Sequence, residues 1–98
     1  MSNTNTPHYV GETGVELILN CGMNVTHAEV LQILVKKPSG ATVIWEAEPY
    51  ISDKNSLRHI TEDGDFNQSG EYIIQAKVKV GGFSGLGTAT AFTIFDRA

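Results

Sequence analysis

Cysteine is nearly absent: Cys21 stands alone among 98 residues. A single thiol excludes an internal disulfide framework and any multi-cysteine metal cluster. Basic residues are also few, seven Lys and Arg against eleven Asp and Glu, for a net charge of −4. They fall in the pairs Lys36/Lys37 and Lys77/Lys79, with Lys54, Arg58 and Arg97 scattered. Nucleic-acid binders draw affinity from clustered cations, so DNA, RNA and anionic membrane are not expected partners. Paired lysines on a strand read as a solvated edge or face. No apolar run approaches the roughly 18–20 residues that span a bilayer. Met1 to Val10 has neither a basic stretch nor an apolar one, so no signal peptide is expected. Disorder is excluded as well, because 41% of residues are hydrophobic and only 18% charged. The length suits one domain, taken as residues 8–98 behind a flexible tail at 1–7.

What is present is alternation. Val15, Leu17 and Leu19 alternate with polar or outward positions, as do Leu31, Ile33 and Val35, then Val43, Trp45 and Ala47. Tyr72, Ile74, Ala76, Val78 and Val80 form the longest such set, and Thr90, Phe92 and Ile94 the last. A period of two means strands, each set lining one face. Val25 to Lys37 has helix-capping residues at Asn24 and Thr26, but its β-branched content rises into Lys37-Pro38-Ser39-Gly40. Proline second and glycine last suit a tight turn, so a hairpin joining Leu31–Lys37 to Ala41–Ala47 accounts for both runs. One short helical turn near Thr26 is the residue of the helical alternative. Turn signals at intervals of about 8–12 residues indicate an all-β sandwich or barrel.

Gly70-Glu71-Tyr72 ends a corner leading into the longest strand. It resembles the tyrosine corner of immunoglobulin-like domains, in which the tyrosine hydroxyl returns to nearby backbone. The position where those domains carry a cysteine is Ile74 here, so Ile74 and Trp45 are expected to fill the space of the missing bridge. The ordered set Gly11-Glu12-Thr13-Gly14, Val35 to Gly40, Trp45, Gly70 to Tyr72 and Thr90 to Ile94 is similar to immunoglobulin-like domains of bacteriophages and prophages. These include the amino-terminal domain of baseplate upper proteins. That resemblance implies an antiparallel sandwich of about seven strands, and a non-enzymatic structural module of a phage or prophage virion. Tail, baseplate or particle surface would be its place, after synthesis in the host cytoplasm. Its partners would be other virion proteins or further copies of itself, with no cofactor.

Sites of chemistry are sparse. His8, His27 and His59 are far apart, and none adjoins a nucleophile. Cys21, at a strand end, reads as a small core residue rather than a thiolate. Glu62-Asp63-Gly64-Asp65 gathers three carboxylates, an oxygen-rich turn of the kind calcium accepts, with Asp63 and Asp65 the weak metal candidates. An ordinary solvated turn is the favoured reading. Gly81 to Gly87 holds four glycines but matches no phosphate-loop spacing, and reads as a flexible connection. It carries Phe83 and Leu86, either as a binding tip or with Phe83 folded back over the core. Leu34, Ile44 and Ile73 face outward with Ile18, and the first three form a contact patch if their strands are neighbours. Coverage of that patch by the amino-terminal segment is the competing reading. The alternative function is a carbohydrate- or cell-surface-binding sandwich, calcium-assisted. Asn24-Val25-Thr26 fits a glycosylation sequon and is taken as coincidence.

Overall fold

The structure, a computed structural model, describes residues 7–97. The expected tail, residues 1–7, lies outside the described residues apart from Pro7. Nine strands follow in order: β1 (His8–Tyr9), β2 (Glu16–Asn20), β3 (Val30–Lys36), β4 (Thr42–Glu46), β5 (Glu48–Tyr50), β6 (Asp53–Ile60), β7 (Gly70–Val80), β8 (Phe83–Leu86) and β9 (Thr90–Phe95). They build two sheets, one ordered β1-β9-β7-β3-β4 with β8 also on β7, the other β2-β6-β5. This is the expected all-β, immunoglobulin-like sandwich, antiparallel as expected except where β1 runs parallel to β9. The count exceeds the expected seven through the two-residue β1 and the four-residue β8.

The turn chemistry explains the path. Gly40 donates its N–H to the Lys37 carbonyl at 2.8 Å and adopts a φ of +92°, which its missing Cβ permits. This closes β3 onto β4, and the strand reading of Val30–Lys36 holds. The helical turn near Thr26 reduces to a single hydrogen-bonded turn, Ala28 N–H to Val25 carbonyl at 3.1 Å, fixed by Asn24 Oδ1 accepting from the Thr26 N–H at 2.9 Å. The flexible connection expected at Gly81–Gly87 is instead β8, paired with β7 from Val80↔Phe83 to Lys77↔Leu86. Gly81, at a φ of +58°, makes the two-residue turn that tight hairpins need.

The two sheets bury Leu31, Ile33, Val35, Trp45, Leu57, Phe66, Tyr72, Ile74, Val78 and Ile94 between them. Each such large side chain contributes about 1.5–3 kcal/mol by leaving water. Phe66 joins the layers, its ring centroid 6.1 Å from Trp45, 5.8 Å from Tyr72 and 5.9 Å from Phe92. The tyrosine corner is formed: the Tyr72 hydroxyl donates to the Gln68 carbonyl and accepts from the Gln68 N–H, both at 3.1 Å. Ile74 and Trp45 are buried as expected, so packing replaces the covalent bridge. Gly70 is confined too, since a Cβ there would meet Pro38 Cβ at 2.9 Å, and its φ is +123°.

One charge departs from the solvated pairs. Lys37 is buried, and its Nζ donates to Asn67 Oδ1 at 2.7 Å and to the Gly64 carbonyl at 3.3 Å. It ties the β3–β4 hairpin to the corner before β7.

Candidate functional site

Four places offer chemistry or contact. The first is the outer face of the larger sheet. Strands β4, β3 and β7 are adjacent, with Leu34 opposite Ile44 on one side and Gln75 on the other. Ile73 lies one step diagonally away, opposite Lys36. Leu34, Ile44 and Ile73 therefore share one face, as their outward parity requires. They line a shallow groove of about 480 Å3 with Lys36, Thr42 and Gln75. Ile44 is 53% exposed, whereas Leu34 and Ile73 are half-buried. The described amino-terminal residues do not cover this face, because β1 lies along β9 at the far edge. Residues 1–6 lie outside the described residues.

The second place is the β7–β8 hairpin. Phe83 and Leu86 are 52% and 57% exposed but do not form one tip. Leu86 pairs with Lys77 on the outer face, while Phe83 pairs with Val80 on the inner side. The Phe83 ring lies over Gly85, where an added Cβ would come within 2.7 Å of its Cζ. It thus packs on its own hairpin rather than over the core.

Third, the corner before β7 uses one of its three carboxylates, Asp65, internally. Asp65 Oδ2 accepts from the Glu62 N–H at 2.8 Å and faces His59 Nε2 at 2.9 Å. Asp63 is exposed, and the Lys37 ammonium occupies the inner side of the turn at the Gly64 carbonyl. Lys37 thus bonds the backbone and Asn67 rather than a carboxylate. Nothing in this arrangement adds support to Asp63 and Asp65, the weak metal candidates of a turn read as ordinary and solvated. Among the described residues no group of three or more His, Cys, Asp or Glu side chains is placed to hold a metal ion.

The fourth is a cleft of about 520 Å3 beside Trp45, lined by Glu46, Glu48, Arg58, His59 and Glu62 among others. His59 is buried, with Nδ1 at 2.7 Å from the Glu46 carbonyl and Nε2 on Asp65. Neither ring nitrogen is left to take a proton from a substrate. Arg58 is shared by Glu16, with Nε–Oε2 at 2.7 Å, and Glu48, with Nη1–Oε2 at 3.3 Å. Its Nε–H is not aimed at an acceptor, so the Glu16 contact is ionic only. Cys21 is remote from this pair: its Sγ faces the Leu19 carbonyl at 3.7 Å, and burial pushes its thiol above the usual 9.0. His8 pairs with Glu12 at 2.8 Å, and His27 is exposed.

Sequence reasoning missed His59 as a buried anchor, because a histidine at an inward strand position interrupts the apolar alternation. It also missed the exposed pair Tyr9 and Phe95, whose ring centroids lie 6.1 Å apart across the β1–β9 pairing. Those rings are tilted by 48° and present no common platform.

No protein-family model and no curated protein matches this sequence. A solved structure does match: CopC from Methylosinus trichosporium OB3b, at 17% identity and a TM-score of 0.60, covering 94% of this chain and 86% of that one. The match extends along nearly the whole sandwich and supports its all-β architecture. It also corrects the phage and prophage resemblance, since the structural likeness found is to CopC and not to a virion domain. The virion, tail and baseplate assignments fall with it, as does a location in the particle after synthesis in a host cytoplasm. The physical reason lies in the motifs that carried the resemblance. A glycine-tyrosine corner, a Pro-Ser-Gly hairpin and an inward tryptophan are requirements of the sandwich itself. They identify an architecture, not a lineage. At this identity the likeness to CopC likewise carries fold alone.

Proposed function

We propose that this chain is a non-catalytic binding domain whose contact surface is the outer face of β4, β3 and β7, and whose ligand is another polypeptide. The observation that carries this reading is the groove formed by Leu34, Ile44 and Ile73 on three neighbouring strands. Apolar centres rimmed by polar groups are the usual anatomy of protein contacts, and the rim here is Lys36, Thr42 and Gln75. The non-catalytic part is supported by the engagement of both His59 nitrogens and by a thiol that stays protonated at neutral pH. Sugar recognition lacks support, because Trp45 and Tyr72 are in the core and the exposed Tyr9 and Phe95 are not coplanar. Placing a photo-crosslinking residue at position 44 tests the reading, with position 18 on the other sheet as control. Adducts to one partner at 44, lost on Leu34→Lys and absent at 18, are expected. Equal yields at both positions would remove the face from consideration.

A further inference from the structure

The ladder between β3 and β4 fixes which backbone groups of β4 are used. Lys37 N–H bonds the Ala41 carbonyl at 2.8 Å and Ala47 N–H bonds the Leu31 carbonyl at 3.0 Å. In an antiparallel pair the bonded positions alternate, so Ala41, Val43, Trp45 and Ala47 turn toward β3. Thr42, Ile44 and Glu46 turn their N–H and C=O groups to the open side. β4 ends the larger sheet, with no strand beyond it among the described residues. The Glu46 carbonyl is taken by His59 Nδ1. Those of Thr42 and Ile44 have no partner among the described residues.

Proteins normally guard such edges with proline, charge, bulges or brevity. Several other edges here are guarded, and β9, which β1 covers only at Ile94 and Phe95, has no run of three β-branched residues. β5 has three residues, contains Pro49 and slips register between Pro49 and Tyr50. β1 has two residues, and β8 has four with Gly85 among them. β2 carries Glu16 with its bound Arg58 at one end, and at the other Gly87 approaches the Asn20 carbonyl, 3.9 Å from where a Cβ would stand. β4 alone offers an unbroken β-branched run, Thr42-Val43-Ile44, with the Ile44 side chain half in water.

We infer that β4 pairs edge to edge with β4 of a second copy of this chain. Antiparallel pairing about a two-fold axis at Val43 sets Thr42 opposite Ile44 of the other copy, and Ile44 opposite its Thr42. Each pair exchanges two backbone hydrogen bonds, so four are made, all by groups that are otherwise open. The register leaves Glu46 and its His59 bond untouched and sets Glu46 opposite Gly40, so like charges do not meet. A second copy fits better than an unrelated strand for two reasons. The free groups are self-complementary about one axis, as an isologous contact requires. Pairing also makes the two outer faces continuous, bringing each Leu34–Ile44 row beside the other copy's Thr42 and Lys36. The inference goes beyond the contact-face proposal and does not need it, because it concerns the strand edge and not the face.

Sedimentation equilibrium on the full chain, from about 10 to about 500 μM, suits an interface of this small size. The mass should climb from 10.6 kDa toward twice that value. Thr42→Pro removes an outward N–H without disturbing the β3 ladder, a placement proline tolerates at edges. It should hold the protein monomeric with an unchanged circular dichroism spectrum. Amide exchange in the wild-type chain gives a second readout that needs no variant: Thr42 and Ile44 should be protected at high concentration and open at low. A mass fixed at the monomer value across the range overturns the inference. So does a dimer in which the Thr42 and Ile44 amides still exchange freely, since association would then use another surface.

Discussion

The imidazole of His59 lies against the indole of Trp45, ring centroids 5.0 Å apart and planes within 14° of parallel. The same ring reaches the Glu46 carbonyl on β4 and the Asp65 carboxylate in the corner before β7. One side chain of the smaller sheet therefore fastens both the edge of the larger sheet and the corner that leads into β7. His59→Ala leaves a cavity beside Trp45 and removes the ring's contacts to the Glu46 carbonyl and to Asp65 Oδ2, which keeps the Glu62 N–H, and should cost about 2–4 kcal/mol. His59→Phe keeps the stacked ring and loses only the polar partners, so it should cost less, about 1–3 kcal/mol. Urea unfolding of the two variants separates packing from hydrogen bonding. A phenylalanine variant as stable as the wild type would show that the polar contacts contribute nothing net.

Tyr72→Phe tests the corner in the same way. The hydroxyl serves Gln68 twice, as donor to its carbonyl and acceptor from its N–H. Tyr72 is fully buried, so both backbone groups lose their partner when it goes. A loss of about 1–2 kcal/mol is expected, with the ring stack on Phe92, 5.6 Å between centroids, unchanged. Chemical denaturation measures the loss. Amide exchange at Gln68 localises it, and slow exchange persisting there in the variant would contradict the assignment.

How much of this was legible in the sequence depended on side-chain parity. Tyr72 to Val80 alternates without interruption, and β7 follows it residue for residue. The Pro38–Gly40 turn and the Gly70–Tyr72 corner carry their own stereochemistry, so both were readable. β6 was not, because its buried residues are Ser56, Leu57 and His59, one aliphatic side chain among polar neighbours. His59 can be buried only because Glu46 and Asp65 meet it from other elements, and no local pattern announces that. Lys37 was misplaced for a similar reason. Its neighbours in sequence suggest solvent, while its partners Gly64 and Asn67 lie 27 and 30 residues away. The outward set Leu34, Ile44 and Ile73 followed from parity alone, but its gathering into one groove required the strand order.

Lys37→Met provides a test of the corner's internal cation. The methionine keeps the apolar stem and removes the ammonium, leaving the Gly64 carbonyl and Asn67 Oδ1 without their donor. Stability should fall by about 1–2 kcal/mol. Millimolar calcium should leave the wild-type melting temperature unchanged, because Asp65 is already engaged. A calcium-dependent rise in the wild type would count for the turn as a metal site.

Alkaline pH should destabilise the fold through a half-buried thiol and a buried phenol. Burial raises the Cys21 thiol above 9.0, against a backbone hydrogen bond at Leu57 that lowers it, and the nearby Asp53 charge raises it further. Burial likewise raises the Tyr72 phenol above 10.0, offset in part by backbone bonds at Gln68 and Asn67, with the Asp65 charge adding to the rise. A raised value means the folded state holds each proton more tightly than the unfolded chain does. Well below pH 9 both states keep both protons and the contribution is constant. As pH climbs past the ordinary values of 9.0 and 10.0, the unfolded chain ionises first and stability declines. Urea midpoints taken from pH 7 to pH 11 should therefore fall in the upper part of that range. Cys21→Ala should flatten the earlier part of the fall and Tyr72→Phe the later part. A midpoint that rises with pH, or a slope unaffected by both substitutions, would mean that neither proton is linked to folding.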